Sequence, residues 1–305
     1  MFFVSCEFDK GSGDDKKVKP NRQQERDSEE DSPPAPTTVE VPAEPKPPVG
    51  GPPMSLPICE EVCDKKSSII KSNIRGFSYL GFANFGYRGV GRCRGHALFT
   101  QRMSILGKFK SSGGCDVNEP ACIQNLLTGI QKIIEFKPHV FNGYRSLYDL
   151  SLVPEIQQYI YDHIKFVDHR YNAGPGKVRN RHFTSRALNV FYELEARTNS
   201  GQLPYVGVIG RLTGSHALLI YKTEYIGNRD VLCARDPNIV LGYREDCQSY
   251  FYIEKGQVYY KRFDRLSDYM QKFELTSDED RRVKIYTNSL YKQCLQEKRD
   301  RNECK

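Results

Sequence analysis

Residues 204–238 read PYVGVIGRLTGSHALLIYKTEYIGNRDVLCARDPN. Three short runs in this stretch, 205–209, 216–221 and 230–235, are rich in aliphatic and aromatic residues and are separated by Gly210, Gly214 and the pair Gly227-Asn228. Apolar runs of that length between glycine-marked turns predict strands joined as antiparallel hairpins. Upstream the period changes. In 93–109 the residues Ala97, Leu98, Met103, Ile105, Leu106 and Phe109 fall close to helical spacing, and 121–136 repeats the pattern before Pro138. Further helices are predicted at 154–166 and at 184–196, the last followed by Asn199 and Gly201. Downstream, 250–253 and 257–263 flank Lys255-Gly256 as another hairpin, and 283–286 reads as a final strand before a charged helix. Helices first and antiparallel sheet second predict an α+β domain of two packed layers.

The chain has 305 residues, 38% hydrophobic and 27% charged, which is ordinary globular composition, and it lacks the apolar stretch of ~20 residues that a spanning helix needs. Its charge is unevenly placed. Residues 1–57 hold seven basic and eleven acidic side chains, net −4, so 58–305 hold 38 and 27, net +11. That field favours acidic partners, such as an anionic membrane or envelope surface or an acidic peptide or protein substrate, and no nucleic-acid motif accompanies it. Eleven of the 17 prolines lie in 7–57, amid charge and with few large apolar residues, which predicts a disordered linker. Three regions follow: 1–6, the linker 7–57 and a domain at 58–305. The start, Met1-Phe-Phe-Val-Ser-Cys6, resembles the end of a bacterial lipoprotein signal, which implies lipidation at Cys6; an incidental thiol is the other reading.

Ten cysteines carry the next constraint. Eight are near neighbours in sequence, Cys59 with Cys63, Cys115 with Cys122, Cys233 with Cys247 and Cys294 with Cys304, and local disulfides among them point to an oxidising compartment, though sequence leaves the connectivity open. The spacings lack the two-residue gap of zinc sites, so no metal is expected, and no cofactor motif is present. Cys6 and Cys93 are left over. Cys93 stands where a Gly-rich loop meets a predicted helix, whose free backbone N–H groups favour a thiolate. His216 opens a predicted strand and Asp236 ends the next, within reach of an imidazole. Nucleophile, base and orienter are the parts of covalent acyl chemistry, which requires Cys93 to be a free thiol. His96, one turn beyond Cys93, reads as a secondary cleft residue. Arg92 and Arg94 bracket the thiol and either favour a thiolate or form a solvated basic face.

Gly91-x-Cys93-x-Gly95, Leu203-Pro-Tyr-Val-Gly-Val208, Gly214-x-His216-Ala-Leu-Leu-Ile-Tyr221 and Val231-Leu-Cys-Ala-Arg-Asp236-Pro-Asn238 together resemble the papain-like cysteine peptidase superfamily, in particular its bacterial double-glycine-peptidase-like branch. The resemblance spans 84–238. It implies a papain-like two-layer domain, with the nucleophile on a central helix packed against an antiparallel β-sheet. It further implies Cys93 as nucleophile, His216 as general base and then acid, and Asp236 as orienter with Asn238 as its substitute. The family holds its oxyanion with a Gln about six residues before the Cys; Tyr87 stands there, and Asn84 is the nearest preceding amide. The expected function is a thiol hydrolase, a cysteine peptidase or amidase acting in the bacterial periplasm, at the outer membrane or as a secreted protein. Its rivals are a transglutaminase-like acyltransferase and a catalytically inactive envelope binding protein.

Overall fold

The computed structural model describes residues 79–84, 92–172, 186–211, 214–239, 247–263, 267–274, 278–300 and 302. The expected signal remnant and Cys6, the linker at 7–57, the Cys59 and Cys63 pair and Cys304 lie outside them. The chain alternates helices with a short parallel strand pair and then turns to strands: α1 (Cys93–Leu106), β1 (Gly107–Lys110), α2 (Pro120–Ile134), β2 (His139–Asn142), α3 (Leu147–Leu150), α4 (Pro154–Asn172) and α5 (Ala187–Asn199) precede six strands. These are β3 (Tyr205–Gly210), β4 (Gly214–Ile226), β5 (Arg229–Arg235), β6 (Tyr250–Glu254), β7 (Gln257–Lys261) and β8 (Ser267–Glu274), and α6 (Asp278–Asp300) follows.

The α+β architecture is the expected one, with one correction to the sheet. β3 to β8 pair antiparallel in sequence order, and β8 also pairs back onto β3 through Val208 with Phe273, so the sheet closes as a barrel in place of an open layer. Its core is built by Val206, Val208, Leu218, Ile220, Leu232, Phe251, Tyr260, Met270 and Phe273, with the register of β8 shifting between Met270 and Phe273. Val190, Phe191 and Leu194 of α5 join that core, and α5 touches β4, β5, β7 and β8.

α1 is buried on nearly every side because it lies between two layers. Phe99, Met103 and Leu106 pack with α2 and α4 residues such as Ile130, Ile133, Ile156 and Ile160. Cys93, Ala97 and Leu98 pack on Tyr205, Ala217 and Leu219 of β3 and β4. The helix stops at Leu106, short of the expected 109. Gly107 turns extended with its N–H on the Met103 carbonyl, where a Cβ would lie 2.6 Å from that oxygen, and the freed residues pair with β2. The expected strand at 283–286 is corrected to helix. Val283, Thr287, Tyr291, Cys294 and Lys298 are buried at spacings of three and four, a helical face that outruns the local Val-x-Ile alternation.

Cys115–Cys122 and Cys233–Cys247 are disulfides, as the local pairing anticipated. The first ties the loop before α2 to its first turn, and the second ties β5 to the segment entering β6. Among the described residues no helix is long and apolar enough to cross a membrane.

Candidate active site

Strand register creates the central pair. β4 sets Leu219 opposite Arg235, the last residue of β5, so Asp236 leaves β5 beside the start of β4, where His216 lies opposite Val208 of β3. His216 Nε2 and Asp236 Oδ1 are 2.8 Å apart, and both side chains are buried. The Asp236-Pro-Asn238 stretch is a turn closed on its own carboxylate, with the Asn238 N–H donating to Asp236 Oδ1 at 2.9 Å. Tyr260, reaching across the barrel from β7, donates its hydroxyl to Asp236 Oδ2 at 2.8 Å.

Burial by itself would push the Asp236 carboxyl up. The His216 charge and the hydrogen bonds from His216, the Asn238 N–H and Tyr260 outweigh it and hold the pKa at about 2. The group is therefore a carboxylate near neutral pH and accepts only, which puts a ring proton of His216 on Nε2. Burial and the Asp236 charge raise Tyr260 well above its ordinary value, so it stays a donor.

A second set of bonds ties this pair to the start of α1. Asn84 donates its backbone N–H to the Pro237 carbonyl at 2.7 Å and its Nδ2 to Asn238 Oδ1 at 3.1 Å. Its Oδ1 accepts the Arg92 N–H at 2.6 Å, one residue before Cys93. The helix has no side-chain cap of its own at Arg92. Asn84 takes over that duty from outside the helix, and its amide faces Asn238 across the site.

Asn84, His216, Asp236 and Asn238 thus form one hydrogen-bonded network with the N-terminus of α1, and Cys93 packs on Ala217, the neighbour of His216. The expectation of a free Cys93 thiol is corrected. Cys93 is disulfide-bonded and 1% exposed, and a disulfide sulfur has neither the proton nor the lone thiolate charge of a nucleophile. Cys294 is disulfide-bonded as well.

His96 lies near Asp236 but turns its Nε2 to the Phe82 carbonyl at 3.1 Å; burial first, and then the Arg235 charge, draw its pKa down to about 4. Arg94 is buried with its guanidinium over the Tyr205 ring and makes no solvated basic face, while Arg92 is half-buried and lies over Tyr161. Two residues escaped the sequence reading. Tyr260 sits at an inward position of the 257–263 run, and a buried tyrosine hydroxyl needs a partner, but nothing local marks Asp236 as that partner. Arg235 adjoins Asp236 and stacks at 3.8 Å on Tyr79, a contact invisible from its place in an apolar strand.

Among the described residues one group, Glu224 with Cys233 and Cys247, has ligand atoms close enough together to share a cation. The two cysteines are bonded to each other, so they lack the thiolates that such a site requires. Comparison with protein-family models, with curated proteins and with solved structures finds no match.

Proposed function

We propose that this chain is a papain-like thiol hydrolase, cleaving a peptide or amide bond, whose Cys93 is stored as a disulfide until a dithiol reductant releases it. The observation that carries the reading is the unbroken chain of hydrogen bonds from the α1 N-terminus through Asn84, Asn238 and Asp236 to His216. A histidine needed only for packing requires no ionised, threefold hydrogen-bonded carboxylate behind it.

Release is thiol–disulfide exchange. One thiolate of the reductant attacks the Cys93 disulfide, its second thiol resolves the mixed disulfide, and the reductant leaves as its own disulfide having supplied two electrons. The freed Cys93 thiol gives its proton to His216 Nδ1, and its sulfur bonds to the substrate carbonyl carbon, aided by the helix N-terminus. The C–N bond breaks as the proton held on His216 Nδ1 passes to the leaving amine. Water adds to the thioester, giving a proton to Nδ1; the C–S bond breaks, the proton returns from Nδ1 to the Cys93 sulfur, and the acid departs. In this reading the oxyanion is assigned to the Cys93 N–H, with the Asn84 side-chain amide as the second donor. The basic surplus of 58–305 fits an acidic peptide or protein substrate, and the two described local disulfides fit an oxidising compartment such as the bacterial periplasm, an outer-membrane lipoprotein or a secreted form.

The Cys93 disulfide itself favours a second reading, a papain-like envelope binding protein without turnover. Iodoacetamide labelling with and without mild dithiothreitol, read by mass spectrometry, separates the two. The hydrolase reading expects labelling of Cys93 only after reduction, an amidase activity on a peptide library that appears with it, and about 100-fold loss of turnover in His216→Ala. Turnover with glutamine substrates only when an amine acceptor is added would indicate the acyltransferase variant. Cys93 that stays inert after reduction at an unchanged fold would establish the binding protein.

A further inference from the structure

A second site lies away from this network, between α2 and β2. A cavity of about 350 Å³ opens there, within the size range of small-ligand sites. Asn125 and Lys132 line one wall, seven residues apart on one face of α2, and His139 and Asn142 of β2 line the other. Leu126 and Phe141, both buried, form the floor. None of these four side chains has a hydrogen bond or ion pair among the described residues, although all four converge on one space, whereas Thr128, also in the lining, donates to the Gln124 carbonyl. Burial and then the Lys132 charge lower the His139 pKa, which keeps the ring neutral near pH 7 with one donor and one acceptor.

The placement of His139 is built into the helix. Its ring lies edge-on to Phe141 at 4.9 Å and presses on Gly129, where a Cβ would come within 2.3 Å of the ring. A glycine inside a helix costs about 1 kcal/mol relative to alanine, and here it is the only residue that leaves the imidazole its room.

We propose that this cavity binds the free C-terminal end of a peptide, with Lys132 on the carboxylate and Asn125 and Asn142 on the adjoining peptide group. Each amide side chain both donates and accepts, as a peptide group does, and the Leu126 and Phe141 floor takes an apolar side chain. Lys132 is the single cation of the lining, which fits one negative charge. This site does not rest on the hydrolase reading, and its test involves no turnover.

Isothermal titration of the full chain with N-acetyl-alanyl-alanine, its C-terminal amide and glucuronate reads the recognition directly. The peptide acid is expected to bind, its amide at least tenfold more weakly, and glucuronate no better than the amide. Lys132→Gln, a change at an exposed side chain, is expected to weaken the acid at least tenfold without changing the thermal midpoint, and Asn125→Leu is expected to fill the cavity and block binding. Equal binding of acid and amide, wild-type affinity in both variants, preference for glucuronate, or no binding of the acid at about 10 mM would each overturn the proposal.

Discussion

Asp236 shows how one side chain can be read from sequence while its setting cannot. The Asp-Pro-Asn turn after a β run marks it as a position where the chain stops and folds back, and the distance to His216 is one hairpin. Tyr260 was hidden because it comes from a strand two further along, aligned with β5 only through the intervening β6. That setting has a consequence in acid. The folded carboxyl titrates at about 2 against an ordinary 3.8, so its contribution is fully present above 3.8 and is lost as the pH falls through that window toward 2, where the unfolded chain binds the extra proton. About 2 kcal/mol is at stake. Urea unfolding at pH 5 and at pH 2.5 should show a loss of that size in the natural chain and a much smaller one in Asp236→Asn, whose side chain does not titrate. Equal losses would mean that Asp236 is not the paired carboxylate described above. Asn84→Ala tests the same network from the helix side. It leaves the Arg92 N–H and Asn238 Oδ1 without their partner and should cost about 1 to 3 kcal/mol by urea unfolding.

Elements were legible where one periodicity ruled, and obscured where two layers met. α2 carries a one-sided apolar stripe and Pro120 at its first turn, and its bounds agree with the sequence to within two residues at either end. α1 is apolar on too many sides to show a face, since it serves both the helical layer and the barrel, and the β1–β2 pair at its end rests on only four residues a side. β2 gave no sequence signal at all. Its neighbour α2 is held by a covalent clamp. The Cys115–Cys122 bridge closes a short loop and places a buried sulfur in the same core as Leu126 and Ile130. Replacing both cysteines by alanine should lower unfolding free energy by about 2 to 3 kcal/mol, most of it through a less restricted unfolded chain. An unchanged urea midpoint would show that the loop is held by its turn alone.

At the scale of the whole molecule, the order of helices and strands gave the α+β class, while closure of the barrel did not show. Six strands in simple succession fit an open meander as well as a barrel, and the deciding pairing, β3 with β8, joins residues sixty or more positions apart with no turn between them to announce it. Closure sets the Asp236 carboxylate against the barrel interior, while His96 is sealed between α1 and the segment carrying Phe82. A sealed imidazole couples the entire fold to pH. Burial is the leading cause that draws His96 from 6.5 to about 4, so the folded protein resists a proton that the unfolded chain accepts. Between those two values the unfolded state binds more protons, and stability therefore falls as pH drops from about 6.5 to 4 and levels off below, by about 3 kcal/mol for this one residue. His163, beside Phe99 and lowered to about 4 by burial and then by Arg102, adds in the same direction. Thermal midpoints measured from pH 7 to pH 4 should decline accordingly, and His96→Gln, which keeps a donor for the Phe82 carbonyl but takes up no proton, should remove a substantial part of the decline. If the variant's curve runs parallel to that of the natural chain over this range, His96 is open to water and the packing of α1 against the 79–84 segment is looser than described.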